Sequence, residues 1–221
     1  MKKIILYIIA FLFTINLQSQ TLKEIDSISK EFCKYLNTIK HIQNDHTRIN
    51  NFYQNKFDVY LEKFDTEKVD KIGQQLFYRL QRNCLDFCQL LERLYPPKES
   101  IYRTKKKPKT KLTNLEIERF KNKNRFKYLE NNGNETHVEM ANNYWKDVFT
   151  DSTYSMLKYK WVSDFEFELV FVESNNEIRT AYSITGDKFI YGVIEKGENY
   201  YLISSKIESQ SHYELFKLYF D

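Results

Sequence analysis

The chain has 221 residues, of which 42% are hydrophobic and 29% are charged. This composition is that of a globular protein with one or two domains, and it excludes a wholly disordered chain. Only five glycines and three prolines are present, which excludes collagen-like chains and the glycine-rich phosphate loops of nucleotide-binding proteins. The formal net charge of +4 is unevenly distributed, and its largest concentration lies in the middle of the chain.

The first predicted element is a secretory signal peptide over residues 1–19. Two lysines precede an uncharged, mostly apolar run over residues 4–15. Because a bilayer span needs about 20 residues, this run is too short to cross a membrane and fits the hydrophobic region of a signal peptide. Cleavage is expected to leave one of residues 19–21 at the N-terminus of an exported protein, periplasmic or secreted, with no remaining transmembrane span. The alternative is an uncleaved N-terminal anchor.

Residues 20–95 are predicted to form a helical domain. Apolar residues recur there at spacings of three and four, which is the period of an amphipathic helix. Asp65 or Thr66 can cap the third of three such stripes, and Pro96 and Pro97 end it. The sequence therefore predicts a three-helix bundle. The stripes are Leu22, Ile25, Ile28, Phe32, Leu36 and Ile39; Phe52, Tyr53, Phe57, Tyr60, Leu61 and Phe64; and Val69, Ile72, Leu76, Leu80, Cys84, Phe87, Leu91 and Leu94.

The three cysteines of the chain, Cys33, Cys84 and Cys88, all lie in this helical domain. An exported protein meets oxidising conditions, so a disulfide is expected. Residues four apart on a helix hold their Cβ atoms about 5–6 Å apart, whereas a disulfide needs about 3.5–4.5 Å. A bond between Cys84 and Cys88 would therefore be strained. We expect Cys33 to bridge to the third helix, with Cys84 as the favoured partner and Cys88 as the alternative.

Residues 96–114 contain seven basic residues and one acidic residue, a net charge of +6. Like charges repel each other and the three prolines of this stretch disfavour a helix, so it is predicted to be an exposed, extended linker. Its basic side chains are candidates for contact with a polyanion, such as an anionic component of the cell envelope. Nucleic acid is not an expected partner of an exported protein, and a purely solvated connector is the alternative. The candidate contact residues are Arg103, Lys105, Lys106, Lys107, Lys109 and Lys111.

Residues 115–221 are predicted to form an antiparallel β domain. From Arg125 onward the apolar pattern changes to a period of two, and segments rich in Asn, Gly and Asp separate the runs. Several short strands in sequence favour a meander that closes into a lipocalin-like barrel. The predicted fold class is α+β, with the helical bundle followed by this barrel. The candidate strands are residues 125–130, 135–140, 154–161, 165–172, 178–184, 188–195, 199–207 and 212–220.

One hairpin of the β domain can be assigned a register from its side chains. If residues 162–164 form a three-residue loop, Trp161 faces Phe165 and Tyr159 faces Phe167. The lysines between these aromatic residues then face glutamates. Apolar pairs and pairs of opposite charge are the cross-strand pairs that stabilise antiparallel sheets, so this register is predicted.

The same hairpin resembles the central signature of a family of small exported bacterial proteins of unknown function. That signature is an aromatic residue, a Trp two positions later, then Asp-Cys, an aromatic residue and Leu. Phe165 stands where the family has its Cys. The resemblance covers part of the chain from Arg125 onward, and it implies a small β domain with no known activity. The residues that match are Tyr159, Trp161, Asp164, Phe167 and Leu169.

The β domain contains 21 aromatic residues, and an aromatic-lined cavity in a small barrel can hold a small apolar ligand. Core packing is the alternative role of these side chains. No catalytic motif, metal-ligand set or cofactor loop is recognisable, so neither a cofactor nor a metal site is expected. The sequence favours an exported, non-catalytic binding or envelope-interaction protein over a hydrolase whose residues meet only in the folded chain. The candidate ligand-lining residues are Tyr159, Trp161, Phe165 and Phe167.

Overall fold

The structure is a computed structural model that describes residues 16–99, 101–208 and 210–220, with side chains from Glu24 onward. The chain divides into two compact units, Met1–Leu94 and Tyr95–Asp221. Each unit has its own hydrophobic core. Most of the signal peptide expected over residues 1–19 lies outside the described residues.

The first unit consists of helices in the part that the structure describes. Asn44 caps the second helix, because its side chain accepts a hydrogen bond from the backbone N–H of Thr47 at 2.9 Å. The expected three-helix bundle is not confirmed, since the second and third predicted helices each consist of more than one segment. The segments are α1 (Asn16–Thr38), α2 (Asp45–Phe52), a π-helical turn (Tyr53–Phe57), α3 (Asp58–Leu61), α4 (Thr66–Asn83) and α5 (Leu85–Leu94).

The third predicted helix is divided at Cys84, which lies between α4 and α5. The backbone of Cys84 is extended, with φ of −129° and ψ of 99°. Its Sγ forms a disulfide with Cys33 of α1, which confirms the pairing that the sequence favoured. Cys88 lies on α5 outside this bond, with its Sγ 3.8 Å from Oε1 of Glu92. The disulfide ties the end of α4 to α1.

An ion pair with a buried guanidinium links two helices of this unit. The guanidinium of Arg79 on α4 donates to both carboxylate oxygens of Asp26 on α1, at 2.5 and 2.6 Å. Arg79 is 3% exposed, so its charge needs this bidentate partner. The fully buried apolar side chains of this core include Leu36, Phe52, Leu76, Leu80, Phe87 and Leu90.

In its described residues, the second unit is an antiparallel β-barrel with two helices. Strands β2 to β9 each pair with the next strand in sequence, and β9 pairs back with β2 where Tyr219 lies opposite Lys127. This closes an eight-stranded barrel, so the α+β class and the closed meander are confirmed. The elements are β1 (Tyr102–Thr104), α6 (Asn114–Lys121), β2 (Arg125–Leu129), β3 (Glu135–Ala141), β4 (Tyr144–Val148), β5 (Tyr154–Trp161), β6 (Glu166–Ser174), α7 (Glu177–Tyr182), β7 (Lys188–Lys196), β8 (Tyr200–Ile207) and β9 (Tyr213–Tyr219).

Strand β4 and helix α7 of the barrel unit differ from the sequence prediction. Strand β4 is not among the candidate strands; it follows a two-residue turn in which Asn142 and Asn143 both have positive φ (53° and 64°), the requirement of a tight hairpin turn. Residues 178–184, predicted as a strand, lie largely in helix α7. Asn176 starts this helix by accepting a hydrogen bond from the backbone N–H of Arg179 at 3.1 Å.

The β5–β6 hairpin forms with a register that differs by two residues from the predicted one. Trp161 lies opposite Phe167, and Tyr159 lies opposite Leu169. The loop is longer than predicted because the Ser163 hydroxyl accepts hydrogen bonds from the backbone N–H groups of Phe165 (3.4 Å) and Glu166 (3.1 Å). A shift of two residues keeps every side chain on its face of the sheet, so the apolar alternation does not distinguish the two registers.

Side chains fill the interior of the barrel. Phe120 of α6 is fully buried and packs its ring against those of Phe126 (centroids 5.1 Å apart), Phe167 (6.1 Å) and Tyr201 (5.0 Å). A capping box at Thr113 fixes the start of α6. These contacts join the start of β2, β6 and β8, so α6 covers one end of the barrel and that end is a packed core.

Residues 96–114 belong to the barrel unit and differ from the free linker that the sequence predicts. Strand β1 pairs with β9 from Tyr102 opposite Leu215 to Thr104 opposite Tyr213. Strand β2 pairs with the same edge of β9 at Tyr219, so β1 and β2 follow one another along that edge. Glutamates of the barrel neutralise part of the basic charge of this stretch, which is why it can pack instead of extending into solvent.

Candidate functional site

The segment that follows β1, residues 105–111, is attached to the barrel at two points, and we call it the strap. At the first point, Nζ of Lys107 lies 2.7 and 2.9 Å from the two carboxylate oxygens of Glu166. At the second, the backbone N–H of Lys111 donates to the carbonyl oxygen of Ile194 (2.7 Å), and its Nζ donates to Glu195 (2.6 Å). The strap is therefore held against β6 and β7 by side-chain charge and by a backbone hydrogen bond.

A groove of about 460 Å³ lies between the strap and the barrel wall. The strap contributes one wall, and the β5–β6 loop, the first residue of β6 and the second half of β7 contribute the rest. Gly192 forms part of this wall; a Cβ atom there would lie 2.8 Å from the hydroxyl oxygen of Ser204. The lining residues are Lys107, Pro108, Lys109, Thr110, Ser163, Phe165, Glu166, Gly192, Val193 and Ile194.

The four predicted ligand-lining aromatic residues are separated by the fold. Only Phe165 lines the groove. Phe167 is fully buried in the barrel core, and the rings of Tyr159 (5.0 Å) and Trp161 (5.3 Å) pack edge-on against it. Nζ of Lys121 lies 4.9 Å from the centre of the Trp161 ring. Three of the four therefore serve packing in the described structure.

The six predicted polyanion-contact residues are likewise divided. Arg103 is 10% exposed and donates from Nε to Glu214 at 2.7 Å, while Lys107 and Lys111 hold the strap. Three lysines, Lys105, Lys106 and Lys109, are exposed and form no ion pair with a residue that the structure describes. Of these three, only Lys109 lines the groove.

At the barrel end opposite α6 lies a group of polar side chains that the sequence analysis missed. We call Tyr128, Glu130, Asp147, Arg179 and Tyr191 the polar cluster. The indole N–H of Trp145 donates to Asp147 at 2.8 Å. The guanidinium of Arg179 donates to Glu130, which also accepts a hydrogen bond from the Thr136 hydroxyl at 2.8 Å.

Burial dominates the electrostatics of the polar cluster. It raises the pKa of Asp147 to about 6, although Arg179 and the hydrogen bonds from Trp145 and Tyr128 favour the charged form. Burial and the charge of Asp147 also raise the pKa values of Tyr128 and Tyr191. Both tyrosines therefore remain protonated over the physiological range, while Asp147 can gain a proton under mildly acidic conditions.

A second polar group, Arg103, His212 and Glu214, lies beside β1. His212 is 5% exposed, and its Nε2 lies 3.6 Å from Oε1 of Glu214. Burial acts to raise the pKa of Glu214, but the neighbouring imidazole and the guanidinium of Arg103 more than offset this effect and hold the pKa below its usual value. Glu214 is therefore a stable carboxylate at neutral pH.

Local sequence signals for these features are weak. Asp147 stands two residues after Trp145, so strand alternation places both on the inner face of β4, but a single acidic residue is usually read as an outward position. The partners of the strap, Glu166 and Glu195, are distant in sequence and carry no local signal. The Asn142–Asn143 turn was the one available indication of β4.

Within the described residues, no three His, Cys, Asp or Glu side chains are placed to hold a metal ion. No helix among those described is long and apolar enough to cross a membrane. Comparisons with known proteins give no match: no family model, no curated protein and no solved structure is detectably similar to this chain.

Proposed function

We propose that this is an exported, non-catalytic binding protein, and that its small apolar ligand lies in the groove between the strap and the barrel. The groove itself is the observation that carries the proposal. Its volume of about 460 Å³ lies within the range of small-molecule sites, which is about 300–1,000 Å³. Export rests on the predicted signal peptide.

The chemistry of the lining supports an apolar ligand. Phe165, Pro108 and Ile194 provide apolar surface, and the charged pair of Lys107 and Glu166 lies beside it. Small-molecule sites commonly combine a mostly apolar wall with a few fixed polar groups. The packed barrel interior leaves the outer groove as the better candidate for the site.

The test uses the neutral fluorescent probe N-phenyl-1-naphthylamine, whose emission rises in apolar surroundings. Mature protein is expected to bind it saturably, with one site per chain. A Thr110→Trp variant places a large ring in the groove and should lower the affinity at least about tenfold, since each 1.4 kcal/mol of lost binding free energy is a factor of ten. The readouts are probe fluorescence and, for folding, circular dichroism.

The matched control is Thr150→Trp, because Thr150 is exposed on the same unit and does not line the groove. This variant should bind the probe as the wild type does. Binding that does not saturate, or an equal loss in both variants, would contradict the assignment of the groove as the ligand site.

The alternative, a hydrolase, has one observation in its favour. The polar cluster brings the carboxyl groups of Asp147 and Glu130 to one end of the barrel, and a buried acid with a pKa near 6 suits general acid catalysis. However, Asp147 is 8% exposed, and partners within the barrel occupy both carboxyl groups. Binding in the groove therefore ranks first.

A further inference from the structure

The groove has one positive charge more than it has negative charge. Three charged side chains line it: Lys107, Lys109 and Glu166. Lys107 and Glu166 neutralise each other at 2.7 and 2.9 Å. Lys109 forms no ion pair with any residue that the structure describes, so its charge is available to a ligand.

The contacts of the strap on either side of Lys109 hold its backbone in place and leave the charge of its side chain available. Lys109 lies midway between Lys107, bonded to Glu166, and Lys111, whose backbone N–H and Nζ are bonded to Ile194 and Glu195. Pro108 directly before it fixes one backbone dihedral. A cation whose backbone is already ordered loses less entropy when it binds an anion.

We infer that the groove binds a small amphipathic monoanion, a carboxylate on an unbranched apolar chain, with Lys109 binding the carboxylate. This inference rests on the proposed function and adds the chemical class of the ligand. The apolar chain would lie along Phe165, Pro108 and Ile194. A single uncompensated lysine matches one negative charge.

The distribution of charge disfavours a polyanion at this site. A polyanion needs a row of available cations, but Lys107 and Lys111 already pair with glutamates, and Arg103 pairs with Glu214. The concave groove also suits a free molecule better than the surface of a bilayer. The proposal is therefore a free medium-chain carboxylate.

The experiment compares decanoate with decan-1-ol, which has the same chain without the charge, by calorimetric titration of the mature protein. Decanoate should bind about tenfold more tightly than the alcohol, because a hydrogen bond to a charged group contributes more than a neutral one. Lys109→Gln should abolish this preference by lowering the affinity for decanoate to that for the alcohol. Lys109→Arg should retain the preference.

Lys106→Gln is the matched control, because Lys106 is an exposed lysine of the same strap that does not line the groove. It should leave the preference for decanoate intact. Equal binding of both ligands, or an equal effect of Lys106→Gln and Lys109→Gln, would overturn the inference while the proposed apolar site stands. If neither ligand nor the neutral naphthylamine probe binds, the proposed function itself is wrong.

Discussion

Burial of Asp147 in the folded barrel costs free energy, and this cost depends on pH. Burial raises its pKa from 3.8 to about 6, so the folded protein binds this proton more tightly than the unfolded chain does. The resulting stabilisation is fully present below about pH 4 and is lost as the pH rises through about 6. At neutral pH the charged carboxylate therefore lowers the free energy of unfolding.

Replacement of Asp147 by Asn should remove this dependence. Relative to the wild type, the variant should gain stability between pH 4 and pH 7, by up to about 3 kcal/mol for a shift of this size. Urea unfolding at several pH values measures the difference. The control is Asp164→Asn, at an exposed position of the β5–β6 loop, whose stability should depend on pH as that of the wild type does. If the pH profile of Asp147→Asn were parallel to that of the wild type, the role assigned to Asp147 would be refuted.

Glu214 changes the stability of the barrel with pH in the opposite direction to Asp147. The contribution of Asp147 is therefore measured by comparing the wild type with Asp147→Asn, and not from the pH profile of the wild type alone. Burial acts to raise the pKa of Glu214, but the contacts with His212 and Arg103 outweigh burial and lower it. Its contribution to stability is present above its usual pKa and is lost as the pH falls. On acidification the two carboxyl groups therefore change the stability of the barrel with opposite sign.

The Cys33–Cys84 disulfide is the covalent link within the helical unit. The two residues are 51 positions apart, and closing a loop of this length is expected to stabilise the folded state by about 4 kcal/mol in the chain-entropy model. The double variant Cys33→Ser/Cys84→Ser should therefore unfold at lower urea concentration by a corresponding amount. A Cys88→Ser variant retains the disulfide and is the control. Equal stability of all three proteins under oxidising conditions would contradict this.

The elements that could be predicted from the sequence are those with a clear local pattern. The stripe of apolar residues through Ile25, Phe32 and Leu36 predicts α1, and these side chains are buried. Helix geometry disfavours a Cys84–Cys88 bond and leaves Cys84 or Cys88 as the partner of Cys33; the structure has the favoured Cys33–Cys84 pair. The alternation around Trp161 and Phe167 gave the correct faces of β5 and β6, although the loop hydrogen bonds of Ser163 moved the register by two residues.

The elements that could not be predicted depend on local capping or on distant partners. Residues 178–184 alternate like a strand, but Asn176 supplies a helix cap and α7 forms instead. Glu166 and Glu195 neutralise the strap, and no local pattern connects them to Lys107 and Lys111. The site was missed for the same reason, since the groove exists only where these distant segments meet.

At the scale of the whole chain, the boundary between the two units lies after Leu94, and the basic stretch belongs to the barrel unit. A fragment of residues 95–221 should therefore fold, whereas a fragment of residues 115–221 lacks β1, the strap and the Thr113 cap of α6. Loss of that cap alone costs about 1 kcal/mol. Leu112, which is 9% exposed and packs in the barrel core, is lost as well.

Thermal unfolding of the two fragments measures this difference. The shorter fragment should unfold at a temperature lower by about 10 °C or more, since 1 kcal/mol shifts the midpoint of a domain of this size by about 3–6 °C. The longer fragment, residues 95–221, is the reference for the shorter one. Similar midpoints would mean that residues 96–114 act as the free linker that their composition predicts.

The order of segments along the chain has a consequence for the biogenesis of the groove. The strap and β1 are synthesised before the strands that hold them. The partners of Lys107 and Lys111 in the strap follow 59 and 84 residues later, and the partner of Arg103 in β1 follows 111 residues later. Contacts of such high sequence separation form late and make folding slow. A chain released before β7 is synthesised has the lysines but no groove. Ligand binding would thus distinguish completed molecules from truncated ones, and a ligand present during folding would favour the completed form by mass action.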